Sequence, residues 1–194
     1  MTQNKSSDRR TLKTKRAISQ AFSEILKEKE LRKITVQEIV DKADISRVTF
    51  YNYYLDVYDL YDKLEHQLLL DMELITLQLA DKQSDQFFSE IINYIYNERA
   101  AFEMVFSLNA TNKLRDKLSH IIEGVFKKIY SEKIGLSIDN ENLSYLCCYR
   151  SNGFLAVIQR WVQNDCSTSC ENMIKQVSLF DENIEKIVID KRNK

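Results

Sequence analysis

Residues 35–54 read TVQEIVDKADISRVTFYNYY, and this stretch decides the fold because it encodes two short helices separated by a tight connection. Thr35, followed by Glu38 three residues later, has the pattern of a capping box, which predicts that the first helix begins there. Ser46 is suited to cap the second helix. A helix of only about eight residues is not stable alone, so its neighbours have to hold it.

The second short helix is predicted to leave one face free. Its side chains are of the types that bind phosphates and read base edges, and they belong to Arg47, Val48, Thr49, Tyr51 and Asn52. The unpaired N–H groups at the start of such a helix also suit a phosphate oxygen. A helix-turn-helix docks its second helix in the major groove of DNA in this way. The alternative is a helical corner of the core with a polar outer face.

The rest of the chain is also predicted to be helical. Three glycines and no prolines among 194 residues leave few positions for tight turns and strand ends. Apolar residues recur at spacings of three and four, which predicts helices over roughly 12–29, 57–80, 142–164 and 169–189, with others opening at Ser84 and Thr111 and a terminator at Gly135. No segment alternates at period two. We therefore expect an all-α fold of about nine helices.

The basic arm, defined as Arg9, Arg10, Lys13, Lys15 and Arg16, stands out from an otherwise balanced chain. The net charge of the chain is −1, so bulk charge predicts no polyanion partner. Together with Lys5 and against Asp8, however, the arm gives residues 1–16 a local balance of +5. That is the footprint expected where phosphates are met, and a solvated basic tail is the alternative.

Several function classes lack their sequence signals. The longest apolar runs are about five residues, so we expect no membrane-spanning helix, no membrane partner and a cytoplasmic location. Cys147, Cys148, Cys166 and Cys170 have no CxxC spacing; small buried apolar fillers are the favoured interpretation, and a thiol-based sensor is the alternative. Without a glycine-rich phosphate loop, a metal-ligand cluster or a nucleophile–base pair, we expect neither an enzyme nor a cofactor or metal site.

The stretch from Lys15 to Leu60, KRAISQAF…ITVQEIVDKADISRVTFYNYYLDVYDL, resembles the N-terminal domain of TetR/AcrR-type regulators. Its most specific part is TV-x-x-I followed by A-x-I-S-R-x-T-F-Y-x-Y. Residues 149–165, YRSNGFLAVIQRWVQND, are similar to a helix in the branch that includes dihydroxyacetone-kinase type activators. The resemblance implies a three-helix DNA-binding domain over residues 1–56 and a helical effector-binding and dimerisation domain over residues 57–194.

The resemblance also implies roles for individual residues. Positions that touch DNA in the family are matched by Thr35 and Val36 for phosphate, Arg47 and Val48 for bases, Thr49 and Tyr51 for the backbone, and Asn52 for the groove. Phe50 matches a core position. Two residues depart from the pattern: Asp44 stands where the turn usually has glycine, and Val57 stands where a lysine often contacts phosphate. Aspartate tolerates the left-handed conformation, and the basic arm could offset the missing lysine.

The helices from 57 to 132 would enclose an unknown small-molecule effector. Candidate pocket residues are Phe88, Tyr94, Phe102, Phe106 and Phe154, although ordinary core packing is the alternative for each. The two last helices are apolar on more than one face, which predicts a twofold homodimer through a four-helix bundle. Candidate interface residues are Val157, Trp161, Val177, Phe180 and Ile184. Gly153 within the first of these helices would permit a close approach across the interface.

The leading hypothesis is therefore a ligand-responsive transcriptional regulator, a repressor rather than an activator. It would bind a palindromic operator of double-stranded DNA as a homodimer. The resemblance implies that a ligand would move the helix beginning near residue 57 and so change the distance between the recognition helices. An adaptor or coactivator that acts through a protein partner is the alternative, which the absence of a lysine at Val57 keeps open.

Overall fold

The computed structural model describes residues 3–79, 84–107, 109, 112–135, 137 and 139–192. Within these ranges the chain forms nine α-helices, one 3-10 turn at Leu31–Lys33 and no strand, which confirms the all-α fold class. The helices are α1 Gln3–Glu28, α2 Val36–Ala43, α3 Arg47–Tyr51, α4 Val57–Leu79, α5 Ser84–Asn97, α6 Arg99–Val105, α7 Asn112–Ile134, α8 Glu141–Gln163 and α9 Cys170–Arg192.

Two helices differ from the sequence-based expectation. Helix α1 begins at Gln3, well before the predicted residue 12, so the basic arm lies within a helix. Helix α6 was not predicted, because residues 101–105 are all buried and the segment therefore has no polar face to reveal a period. Thr111 lies outside the described residues. Helix α7 ends at Ile134, and Gly135 follows with a φ of 63°, as predicted for its terminator.

The described chain divides into two compact units. The N-terminal unit comprises Met1–Leu68 and Ala100–Asn112, and the C-terminal unit comprises Leu69–Arg99 and Lys113–Lys194. Helix α6 thus belongs mainly to the unit that contains the helix-turn-helix. The domain boundary after residue 56 remains a prediction from the sequence.

The N-terminal unit is built around α1. Ile18, Phe22 and Leu26 lie on one face of this helix and are fully buried. The segment after residue 100 is tied to the same helix by polar contacts. The buried Glu103 carboxylate accepts a hydrogen bond of 3.1 Å from Ser23 and pairs with Lys27 at 3.1 Å. A buried carboxylate with partners of this kind fixes the position of α6 on α1.

The C-terminal unit is a helical bundle in which α5 packs along α9. In its core the ring of Phe87 contacts the ring of Phe88 at a centroid distance of 5.3 Å and the ring of Phe126 at 6.0 Å. Trp161 is buried and donates a hydrogen bond of 2.8 Å from Nε1 to the carbonyl oxygen of Thr168, which closes the connection between α8 and α9. Among the described residues, no helix is both long enough and apolar enough to cross a bilayer.

Candidate functional site

The start of α2 carries the predicted capping box. The Thr35 side chain accepts a hydrogen bond from the backbone N–H of Glu38, and the Glu38 carboxylate accepts one of 3.0 Å from the backbone N–H of Thr35. Lys29 pairs with the same carboxylate. The pKa of Glu38 is lowered to about 2. The hydrogen bond from Lys29 is the largest cause, followed by the hydrogen bonds from the backbone N–H and the hydroxyl of Thr35. These contacts fix the geometry at the N-terminus of α2, the position at which the resemblance predicts a phosphate contact.

The turn between α2 and α3 is also local in origin. Asp44 adopts the left-handed conformation with a φ of 52°, so aspartate does stand in for the glycine expected there. Ser46 then caps α3 by accepting a hydrogen bond of 3.1 Å from the backbone N–H of Thr49. Phe50 is fully buried and contacts the ring of Tyr54 at a centroid distance of 5.5 Å. One buried ring therefore anchors a helix of five residues.

The opposite face of α3 is open to solvent. Val48 is 71% exposed and Tyr51 is 54% exposed, and Arg47 and Asn52 are exposed as well. Arg47 donates a hydrogen bond of 2.6 Å from Nε to the side-chain oxygen of Gln37 on α2. Gln37 was not singled out from the sequence, because nothing in the chain shows that residues ten positions apart meet across the turn.

The predicted DNA-binding residues thus fall at two places in the N-terminal unit. Arg47, Val48, Thr49 and Tyr51 lie on α3 and Asn52 ends it, whereas Thr35 and Val36 lie at the start of α2. Thr35 is exposed, and Val36 and Thr49 are half-buried. We call the set formed by these seven residues the α2–α3 face.

The charge available for phosphates lies mainly outside the α2–α3 face. Residues 35–54 contain Glu38, Asp41 and Asp44 against Lys42 and Arg47, which leaves a net charge of −1. All five residues of the basic arm are exposed on α1. The Nζ atom of Lys15 lies 5.9 Å from the centroid of the Tyr53 ring, so the arm adjoins the end of α3. The two features together place, on one unit, side chains of the types that can read bases and bind phosphates.

The start of α4 offers no replacement for the missing lysine. Val57 is buried, and Asp56 caps the helix by accepting a hydrogen bond of 2.8 Å from the backbone N–H of Asp59. Lys63 is the nearest cation along this helix, and it is engaged with Asp59 at 2.9 Å and with the carbonyl oxygen of Tyr53 at 3.1 Å. The basic arm is therefore the main source of positive charge beside α3.

The C-terminal unit contains a cavity of about 210 Å³. Its lining residues come from α5, α7, α8 and α9 and are Phe88, Phe126, Tyr149, Arg150, Gly153, Phe154, Val157, Val177, Phe180, Asp181 and Ile184. Of the predicted pocket residues, Phe88 and Phe154 line this cavity. Tyr94 is instead hydrogen-bonded to Asp71 at 3.0 Å, and Phe102 and Phe106 are buried in the N-terminal unit.

Arg150 and Asp181 form a buried ion pair at this cavity that sequence reasoning missed. Their side chains are 3% and 11% exposed. The available signal was that Arg150 shares the buried stripe of α8 with Cys147, Phe154 and Ile158. A charge on a buried stripe requires a partner, but the sequence does not show which of the many acidic residues supplies it.

The candidate dimer residues differ in accessibility. Phe180 is 52% exposed, Val157 and Ile184 are half-buried, and Trp161 and Val177 are buried within the subunit. Exposed aromatic and aliphatic side chains on α8 and α9 form a different set, which we call the α8–α9 face: Tyr145, Tyr149, Leu179 and Phe180.

The four cysteines form no disulfide with one another among the described residues. Cys147 and Cys166 are buried, whereas Cys148 is exposed. Burial raises the pKa of the Cys147 thiol to about 11, against the opposing effect of Lys127 nearby. A thiol with so little thiolate reacts slowly, which favours the interpretation of Cys147 as an apolar filler.

The comparison with protein families concerns mainly the C-terminal unit. A TetR-type model, described as a transcriptional regulator C-terminal region, matches residues 82–181, just over half of the chain. The chain belongs to the TetR family of transcriptional regulators. This assignment agrees with the family that the α2–α3 stretch indicated, although the two rest on different parts of the sequence.

Solved structures of TetR-type regulators share the fold. A TetR/AcrR-type transcriptional regulator from Aquifex aeolicus VF5 matches with a TM-score of 0.62 at 15% identity, over 88% of this chain and 99% of that chain. The dihydroxyacetone kinase operon activator DhaS matches with a TM-score of 0.55 at 17% identity, over 89% and 96%. FadR from Bacillus subtilis, in complex with stearoyl-CoA, matches with a TM-score of 0.56 at 14% identity, over 83% and 94%. No protein of curated function matches the sequence.

Proposed function

We propose that this TetR-family chain is a ligand-responsive repressor that binds a palindromic operator as a homodimer through the α2–α3 face. The observation that carries the proposal is the contrast between Phe50, which is fully buried, and its neighbours Val48 and Tyr51, which are more than half exposed. A helix of five residues that exposes Val48 and Tyr51 leaves an aliphatic and an aromatic side chain available to a partner surface. The major groove accepts a helix of this kind.

Phosphate binding would be shared between the caps and the basic arm. The start of α2 presents N–H groups and Thr35, and the start of α3 presents N–H groups and Arg47. Because residues 35–54 carry a net charge of −1, the arm has to supply most of the electrostatic attraction. Affinity should therefore depend strongly on salt, since each phosphate neutralised releases counterions.

We propose that the α8–α9 face forms the twofold dimer contact. Tyr149 is 70% exposed and Phe180 is 52% exposed, and exposed aromatic residues are enriched at protein interfaces. A homodimer would double the contacts of a small recognition helix and set the spacing of two half-sites. A regulator of this kind is proposed to act in the cytoplasm, without enzymatic activity and without a membrane partner.

The test is binding to fluorescent DNA from the region upstream of the gene, across a salt series. We expect saturable binding that survives excess random DNA and weakens steeply with salt. Tyr51→Ala should abolish specific binding, while Tyr51→Phe should retain part of it because the ring stays. Lys13→Gln should reduce the salt slope by about one, whereas Lys175→Gln on α9 should leave the slope unchanged. Leu179→Glu, on the α8–α9 face but outside the cavity lining, should weaken binding by impairing the dimer.

The opposite result favours the second candidate, a coactivator or adaptor that acts through a protein partner. The burial of Val57, where a phosphate-binding lysine would stand, is the observation in its favour. Weak binding that is equal for random DNA and unchanged in Tyr51→Ala would reject the repressor proposal and support this one.

A further inference from the structure

The cavity of the C-terminal unit combines apolar walls with one buried charge pair. Phe88, Phe126 and Phe154 contribute rings, Val157 contributes an aliphatic wall, and Arg150 lies among them. Ligand sites are commonly built in this way, with apolar walls and a few polar groups that fix orientation. The cavity has a volume of about 210 Å³ and is open to solvent on the side where Tyr149 and Phe180 are exposed.

The guanidinium of Arg150 is held in place independently of Asp181. Its central carbon lies 4.6 Å from the centroid of the Phe126 ring and 4.4 Å from that of the Tyr130 ring. Two rings at these distances attract a cation and restrict its movement. The guanidinium also remains charged whatever its surroundings, because it cannot be deprotonated in a protein.

One of these two rings carries an unsatisfied hydroxyl, that of Tyr130, which is not itself among the residues that line the cavity. The residue is 2% exposed, and its hydroxyl finds no hydrogen-bond partner in the part of the chain that the structure describes. Most buried hydroxyls are hydrogen-bonded, and an exception calls for an explanation such as a missing ligand or water. The Tyr130 ring, which carries this hydroxyl, is one of the two rings in contact with the Arg150 guanidinium.

We propose that the cavity binds a small anion with an apolar body, of the class of short-chain or aromatic carboxylates, whose charged group pairs with Arg150 in place of Asp181. The inference rests on the proposed function in that this ligand would be the effector. Asp181 can give way because its side chain is more exposed than that of Arg150. Arg150 stays in contact with the rings of Phe126 and Tyr130.

The charges favour an anion over the other classes. A cationic ligand would have to take Asp181 and would bring a second positive charge next to Arg150, which is unfavourable at low dielectric. A neutral ligand would leave the ion pair intact and could accept a hydrogen bond from the guanidinium, but it would lack the attraction between opposite charges that a carboxylate gains.

The two mid-helix glycines of the described residues provide a matched pair of variants. Gly153 lines the cavity and Gly124 does not, and at both positions an added Cβ would meet nothing within 4 Å. Leucine in place of glycine also favours a helix by roughly 1 kcal/mol. Gly153→Leu and Gly124→Leu should therefore both fold, while only Gly153→Leu fills the cavity.

The experiment measures binding of benzoate and hexanoate to the full chain by calorimetry and by the rise in Tm at millimolar ligand, with benzamide and hexylamine as neutral and cationic counterparts. We expect the two carboxylates to bind the wild-type chain and Gly124→Leu, and to lose affinity by on the order of 10- to 100-fold in Arg150→Gln. Gly153→Leu should show no binding. Asp181→Asn should show a larger ligand-induced rise in Tm than the wild-type chain, because the competing carboxylate is gone.

The proposal is overturned if neither carboxylate binds, if benzamide binds as tightly as benzoate, if hexylamine binds in their place, or if Gly153→Leu binds like Gly124→Leu. None of these measurements contains DNA. Loss of operator binding in the DNA assay would therefore count against the proposed function alone, and loss of carboxylate binding would count against the effector class alone.

Discussion

Helices α3 and α8 differ in whether they bury or expose their polar side chains. On α3 the aromatic ring of Phe50 is buried, and the polar side chains around it are exposed. On α8 the guanidinium of Arg150 is buried and paired, while the rings of Tyr145 and Tyr149 are exposed. A recognition surface that lies outside the core can change with little cost in stability. A ligand site that shares its charged groups with the core cannot, so binding and folding should separate in the first region and remain coupled in the second.

The largest effect is expected from Phe50→Ala. This ring is fully buried and packs against Tyr54, so its removal leaves a cavity that should lower the free energy of unfolding by about 3–5 kcal/mol. Denaturant unfolding followed by circular dichroism measures the change. Tyr51→Ala, one position further along the same helix, should cost less than about 1 kcal/mol because the side chain is mostly exposed. Equal losses in the two variants would contradict the assignment of Tyr51 to the surface.

The next effect tests the coupling of ligand site and core. Asp181→Asn keeps the shape of the side chain but leaves the buried Arg150 charge without its carboxylate, which should cost about 3 kcal/mol of unfolding free energy. Glu171→Gln removes a carboxylate from an exposed pair with Lys175 on the same helix and should produce no measurable change. If Asp181→Asn left the free energy of unfolding unchanged, solvent would already screen the charge of Arg150. The contrast between α3 and α8 would then fail.

The same contrast explains what could be predicted from the sequence. The caps at Thr35 and Ser46 and the turn at Asp44 were predicted because each depends on residues no more than four positions apart. The all-α class followed from glycine, proline and periodicity in the same local way. The exposed face of α3 could then be named residue by residue, although its contact with DNA remains a proposal.

Features that depend on distant residues escaped prediction. Arg150 and Asp181 lie on different helices, and no local pattern joins them. Phe102 and Phe106 were assigned to a pocket by their residue type, yet α6 carries them into the N-terminal unit, where Glu103 meets Ser23 and Lys27. The bond from the Trp161 indole N–H to Thr168 within the subunit was also not foreseen, and the place of Trp161 in a dimer contact stays a prediction. Residue type and helical periodicity predict that a side chain is buried, but they do not show which part of the molecule packs against it.

The smallest effect concerns the charge at the start of α2. The pKa of Glu38 is lowered to about 2 from 4.5 by Lys29 and Thr35, so its ionised form is favoured in the folded chain. The folded chain therefore gains stability from this group above about pH 4.5, and the gain is lost as the pH falls toward 2. In Glu38→Gln the side-chain oxygen can still accept from Thr35, but the charge that attracts Lys29 is gone.

Unfolding free energies measured between about pH 6 and pH 3 should therefore decline more steeply for the wild-type chain than for Glu38→Gln. Thr35→Ala removes the hydroxyl that caps α2 and bonds to Glu38, and retains the backbone N–H and Lys29. Its acid dependence should consequently lie between the other two. If all three chains lose stability in parallel, Glu38 does not stabilise α2 through its charge, and the fixed geometry of the α2–α3 face would have to come from Phe50 and its neighbours in the core.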